Sequence, residues 1–347
     1  MFLVTIGCIF KRSLLIFHNT NIILNSMDSN DNLFLKVLKK ISSLIVFLRY
    51  PRVPPEYKYF YRDTFVCQLY QLRYFIQDRL IKKKYRTFAY DGEFGAELEF
   101  VLPHIYWHYK NGTLKKTVSL KKTKELYFFS PCHEELFEER TFTGNHNFEF
   151  PRVLYSQNYN MKKWIRVPLK EMYKNEVYVF NKPALIIANR YNSEWDGEPI
   201  SFFSIETLDH IITKLKDKYT IIYNRPLPKD IVNDNSNVKD LNEYSWLEER
   251  HPEVLLMNKL FETNQVNANN FNHFQLCVYA NCSRFISVHG GTAALASYFG
   301  GLNLVFSRQG PEHHFNCFHK LYPQLSGAKI LHAKTNKEVE DYVERFF

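Results

Sequence analysis

At 347 residues the chain has room for about two domains. Its 45% hydrophobic and 16% aromatic content supports a packed core and excludes a disordered or collagen-like chain. The formal net charge is +9, yet residues 1–90 hold 15 Lys/Arg against 5 Asp/Glu and the remainder is nearly balanced, which argues against nucleic acid as a partner and for a membrane-facing N-terminal segment.

The opening MFLVTIGCIF is apolar but is followed, not preceded, by Lys11 and Arg12, the reverse of a signal peptide. Met27 begins a more ordinary start, so residues 1–26 read as an extension or an upstream start. No stretch is apolar for the length of a spanning helix. Six cysteines are scattered without CxxC spacing, which predicts reduced thiols and a cytoplasmic protein, peripheral at the membrane.

Residues 32–49 are amphipathic at helical spacing. Phe34, Val37, Leu38, Ile41, Leu44, Ile45 and Leu48 form an apolar stripe, with Lys36, Lys39 and Lys40 largely off it. Such a helix either lies on an anionic membrane or packs on a domain with a solvated basic face. PRVPP at 51–55 breaks it. Residues 63–84 predict a second helix ending in Lys82, Lys83 and Lys84, where cations complement the dipole.

From residue 86 the texture changes. RTFAY (86–90) predicts a strand, DGEFG (91–95) a turn, and residues 96–109 a helix kinked at Pro103. TVSL (117–120) and ELYFFS (125–130) are further strand candidates; 131–180 has no clear pattern. From 183 the alternation is regular. Strands are predicted at 184–191, 219–226, 284–290, 302–307 and 329–333. Helices are predicted at 203–216 (with Ser204 as N-cap), 269–282, 292–300 and 336–347. This order predicts an α/β protein with a parallel, doubly wound sheet. The expected division is 1–62 as extension and basic helix, 63–180 as a first α/β domain, and 181–347 as a Rossmann-like domain.

The strongest chemical signal is RFISVHGGTAALASYFGGLNLVFS (284–307). An apolar strand runs into His289, Gly290 and Gly291, and Thr292 opens a helix. Such a turn presents bare backbone N–H groups to a phosphate, and its glycines allow close approach. His289 stands at the carboxyl end of the strand, where open α/β sheets receive ligands.

The segment FISVHGGTAALASYFGG resembles the nucleotide-sugar-binding segment of glycosyltransferases with the GT-B architecture. The alternating stretch 183–347 is similar in length and layout to the donor domain of that class, and 86–130 more weakly to part of its acceptor domain. The resemblance implies two Rossmann-like domains and a donor diphosphate on the Gly290–Thr292 turn. It also implies a base in an N-terminal-domain loop facing the donor.

Three further clusters supply candidates. Asp91, Glu93, Glu97 and Glu99 gather where a strand gives way to a helix. Glu93 or Asp91 in the turn would take the proton from an attacking acceptor hydroxyl, or these acids merely serve the helix start. Asn189, Arg190 and Asn192 follow the first strand of the regular region. Arg190, and Arg225 after the next strand, would neutralise a leaving diphosphate or else form ordinary ion pairs. Arg308, Glu312, His313 and His314 form a polar loop that is either simply solvated or one in which Glu312 binds a sugar or ribose hydroxyl.

His104 and His108, spaced i, i+4, lack a third ligand and HEXXH, and read as structural. No Asp-x-Asp follows an apolar strand, so neither a metal nor a resident cofactor is expected. The sequence thus predicts a metal-independent glycosyltransferase moving a sugar from a nucleotide-sugar to a glycan or lipid-linked acceptor. The alternatives are a sugar-nucleotide epimerase or hydrolase on the same scaffold, or a non-catalytic membrane-associated adaptor.

Overall fold

The computed structural model describes residues 33–142, 144, 148–150, 162–193, 197–226, 237–264 and 267–347. The apolar opening and the Met27 start lie outside these residues. The chain divides into two compact units, Met1–Ile76 with Phe148–Asn160, and Gln77–Asn147 with Met161–Phe347.

The first unit contains helices α1 (Leu33–Arg49) and α2 (Pro55–Leu72), packed on each other. The proline-rich break is shorter than expected, because Pro55 starts α2, where a missing N–H costs nothing. α1 buries Lys39, Ser42, Ser43 and Val46. Lys39 thus leaves the solvated face that the sequence pattern gives it.

The second unit carries both sheets, and every strand pairing in them is parallel. The α/β class expected from the alternation holds. Residues 63–84 are not one helix. α2 stops at Leu72, and a short π-helical segment, Gln77–Ile81, is closed by Lys82, whose N–H donates to Gln77 O (2.9 Å) and whose φ is +50°.

The small sheet has strands β1 (Arg86–Ala89), β2 (Leu114–Leu120) and β3 (His133–Phe137), in that order. ELYFFS is not a strand. Lys124–Tyr127 forms a 3-10 turn that buries Leu126 and Tyr127, and the backbone N–H groups of Thr123 and Lys124 both donate to Glu135 Oε1 at 2.8 Å.

Between β1 and β2 runs a helical stretch in three pieces: α3 (Phe94–Ala96), a π segment (Glu97–Val101) and α4 (Leu102–Lys110). The expected kink at Pro103 takes this form. Pro103 has no N–H to offer the preceding turn. Two carbonyls there are satisfied from outside: Leu98 O accepts from Tyr298 Oη (2.6 Å) and Glu99 O from Trp164 Nε1 (2.9 Å). His104 and His108 on α4 are fully buried, hydrogen-bonded through Nδ1 to Lys163 O (3.0 Å) and Thr113 Oγ1 (2.8 Å).

The large sheet contains β4 (Ala184–Ala188), β5 (Thr220–Asn224), β6 (Leu255–Leu256), β7 (Arg284–Val288), β8 (Leu302–Phe306) and β9 (Lys329–Ala333). Their spatial order is β6-β5-β4-β7-β8-β9. Numbered from the first strand this is 3-2-1-4-5-6, the Rossmann order, and the chain reverses direction of winding between β4 and β7. The strands are continuous apolar runs because helices cover both faces. α5 (Leu169–Tyr173) precedes the sheet. α6 (Ile205–Leu215), α7 (Glu243–Arg250), α8 (Met257–Asn264), α9 (Phe271–Ala280) and α10 (Gly291–Ser297) link its strands. Three short helices follow β8, namely α11 (Pro311–Phe315), α12 (Cys317–Lys320) and α13 (Tyr322–Ser326), and α14 (Asn336–Phe346) follows β9. Ser204 caps α6 as expected, its Oγ accepting from Thr207 N at 3.3 Å.

Candidate functional site

The carboxyl ends of β4 and β7 lie side by side at the point where strand order reverses, the place in such sheets where a crevice opens. β4 delivers Asn189 and Arg190 there, and β7 delivers His289, Gly290 and Gly291.

Arg190 Nη1 lies 3.4 Å from His289 O, and a Cβ on Gly290 would stand 2.9 Å from that nitrogen. Gly290 has φ of +88°, a conformation glycine adopts without strain. The half-buried Arg190 forms no ion pair with a carboxylate among the described residues, and its buried Nε has no hydrogen-bond partner. Thr292, half-buried, occupies the first turn of α10.

The neighbouring candidates are committed elsewhere. Asn189 is buried, and its amide spans a loop. Nδ2 donates to Phe203 O (3.0 Å) and Tyr223 Oη (3.1 Å), while Oδ1 accepts from the backbone of Arg190 (2.9 Å) and Phe203 (3.0 Å). Arg225 is buried against Glu243, with Nη2 to Oε2 at 3.0 Å and Nε to Oε1 as a second contact. Tyr223 Oη adds a third bond to Glu243. His289 is buried too, with Nδ1 2.7 Å from Ser307 Oγ, which lies 2.9 Å from His313 Nε2.

The turn of the small sheet meets this crevice directly. A Cβ on Gly95 would lie 3.3 Å from Gly291 N, and one on Gly291 would lie 2.7 Å from Phe94 Cδ1. The absence of side chains at both positions is therefore what lets the two turns touch. Gly291 faces Phe94 and Gly95, whereas the sequence pattern points it at a phosphate.

The four acids of the turn separate into different environments. Asp91 Oδ2 accepts from Thr141 Oγ1 (2.7 Å). Glu97 is fully buried and paired with Arg140, Nη2 to Oε2 at 2.8 Å, while Arg140 Nη1 donates to Gly92 O (2.6 Å). Glu93 is exposed, on the residue that precedes α3. Glu99 is 3% exposed and accepts from Tyr322 Oη at 2.9 Å. Burial, with the charges of Glu312 and Glu93, pushes its carboxyl up to about 8 against the pull of Tyr322, so it is protonated at neutral pH.

Glu312 lies in the first turn of α11, its Oε2 buried without a hydrogen-bond partner. It borders a cavity of about 190 Å³ whose lining also includes His313, His332 and Lys334. Burial lowers both histidines, His332 to about 4, so both are neutral at pH 7.

Arg190, His289, Gly290, Gly291 and the Glu93 turn thus come together, and Glu99 and Glu312 influence each other electrostatically. Arg225 is not part of the group. The sequence pattern places Glu99 among the four acids but favours Glu93 or Asp91 as the base; the structure seats Glu99 inward, on the π segment. Among the described residues no group of three or more His, Cys, Asp or Glu is arranged to hold a metal ion, and no helix is long and apolar enough to cross a membrane.

No protein-family model and no curated protein matches the chain. Among solved structures it is similar to that of the wall teichoic acid polymerase TagF, over 90% of this chain and 89% of that one, at 10% identity and a TM-score of 0.31.

Proposed function

We propose that the chain is a glycosyltransferase that binds a nucleotide-sugar in the β4–β7 crevice and works without a metal. The observation that carries this reading is Arg190, a guanidinium at the switch point with an unpartnered Nε and no carboxylate of its own among the described residues. A cation so held suits an anionic ligand, and a diphosphate also suits the bare Gly290 backbone and the Thr292 hydroxyl beside it.

In the transfer, the acceptor hydroxyl oxygen bonds to the anomeric carbon and its proton passes to the Glu93 carboxylate. The bond from that carbon to the diphosphate breaks, and its electron pair leaves with the nucleoside diphosphate. Arg190 meets the charge that grows there. Glu312 accepts from a sugar or ribose hydroxyl. His289 acts at one remove, fixing the Gly290 turn through Ser307. The acceptor is a glycan or a lipid-linked glycan.

Calorimetry with nucleoside diphosphates tests the reading. The wild type should bind at least one of them, and Arg190→Ala should weaken that binding by roughly 10- to 100-fold, the range for a charge-assisted contact. A wild type that binds no nucleoside diphosphate or nucleotide-sugar would overturn it.

A further inference from the structure

α1 is turned inside out. Its packed side is Lys39, Ser42, Ser43 and Val46, at the i, i+3, i+4, i+7 spacing of one helix face. Ser43 Oγ donates to Lys39 O at 2.8 Å, and the Lys39 ammonium stands 5.0 Å from the centre of the Phe148 ring. The apolar side is turned outward. Phe34, Val37, Ile41, Leu44, Ile45 and Leu48 are 38 to 70% exposed. An ordinary surface helix does the opposite, since burying a lysine and two serines while wetting six large apolar side chains wastes the hydrophobic effect.

Charge indicates what covers the stripe. Lys36, Lys40, Arg49 and Arg52 accompany it, and no Asp or Glu occurs from residue 33 to 55. A second copy would set the same cations against these, with no acid between residues 33 and 55 to pair them. A layer of anionic headgroups over hydrocarbon matches both features. At 17 residues α1 is about 25 Å long, and it is not apolar enough to cross a bilayer. It therefore lies along the surface.

We infer that the exposed face of α1 is a membrane-insertion surface, which sinks its aliphatic and Phe side chains into the headgroup–acyl boundary of an anionic phospholipid leaflet. Its cations stay at the phosphates. The lysines assist and the apolar stripe holds, so the mode is insertion rather than attraction of a basic face. This inference does not rest on the proposed transferase activity, because vesicle binding requires no donor and no turnover.

The test is co-sedimentation of the full chain with phosphatidylcholine vesicles, with and without phosphatidylglycerol. The wild type should bind the mixed vesicles and bind pure phosphatidylcholine less. Ile41→Ser, Leu44→Ser and Leu48→Ser together should weaken binding about a hundredfold or more, with an unchanged thermal melt because all three side chains are exposed. Lys40→Glu with Arg49→Glu should weaken binding to the mixed vesicles by at least about tenfold. The inference fails if the wild type stays in the supernatant with both vesicles, as it would with residues 1–32 lying over the stripe. It fails also if the triple variant binds like the wild type. A lipid-free dimer that the triple variant dissociates would assign the stripe to a second copy instead.

Discussion

Arg190 and Arg225 both follow a strand of the large sheet, and their surroundings give them opposite roles. Arg225 meets Glu243 through two nitrogens and is 3% exposed. Removing it strands a buried carboxylate, which costs about 3–5 kcal/mol. Arg190 has no such partner, so Arg190→Ala leaves no buried charge unmatched. A melting curve should therefore fall for Arg225→Ala and stay near wild type for Arg190→Ala, while nucleotide binding shows the reverse order of damage. Equal loss of stability in both would mean that Arg190 is a structural pair as well. The acids divide in the same way. Glu97 is buried and paired to Arg140, Asp91 is bonded to Thr141, and Glu93 is exposed on the turn, where the proposed reaction needs its base. Glu93→Gln should keep donor affinity and slow transfer by roughly 10²–10⁴-fold, read by single-turnover kinetics. Wild-type turnover in that variant would move the base elsewhere.

The elements around the crevice are fixed by contacts that need small residues. Gly95 and Gly291 touch across the two sheets, and Tyr298 at the end of α10 donates to Leu98 in the π segment. A methyl at Gly95 would press on the Gly291 backbone at 3.3 Å, where no flexible side chain can yield. Gly95→Ala should cost about 1–3 kcal/mol by overpacking, and Gly291→Ala, aimed at the Phe94 ring, at least as much. Differential scanning calorimetry reads this directly; a Gly95→Ala protein as stable as wild type would mean that the turns do not touch in solution. These contacts also mark where sequence stops being legible. Five of the six strands of the large sheet could be read from alternation, because each is a short, mostly apolar run bounded by polar turns; β6, two residues long at the sheet's edge, could not. Nor could β3. HEELF carries three polar residues in five and pairs through its backbone at the edge of a three-stranded sheet. The π segment is equally silent, since it goes with one missing N–H at Pro103 and with contacts from Trp164, 65 residues beyond Glu99, and Tyr298, 200 residues beyond Leu98. Gly291 was legible as a turn residue, yet the object opposite it is Phe94, a contact set by tertiary packing.

At the scale of the whole molecule, buried titratable groups give stability a pH dependence with two opposing parts. Burial lowers His104 from 6.5 to about 3 and His332 to about 4. Each is neutral when folded and binds a proton more readily when unfolded. Their stability is present above about pH 6.5 and is lost as pH falls toward their folded values. Glu99 runs the other way. Its pKa rises from 4.5 to about 8, first through burial, then through Glu312. The folded chain keeps that proton while the unfolded chain gives it up. Its contribution is therefore present below pH 4.5 and is lost as pH rises to 8, by roughly a few kcal/mol in all. Between 4.5 and 6.5 the two effects partly cancel. From 6.5 to 8 the histidines no longer change charge, and Glu99 alone of these three slopes the curve downward. Glu99→Gln removes the titration, and its amide oxygen still accepts from Tyr322 Oη. Urea unfolding should show wild-type stability falling from pH 6.5 to 8 and a nearly flat line for the variant, with the two closest at low pH. Parallel lines across that window would show that Glu99 is already ionised in the folded protein, and that the space between Glu99, Glu312 and Tyr322 is open to water.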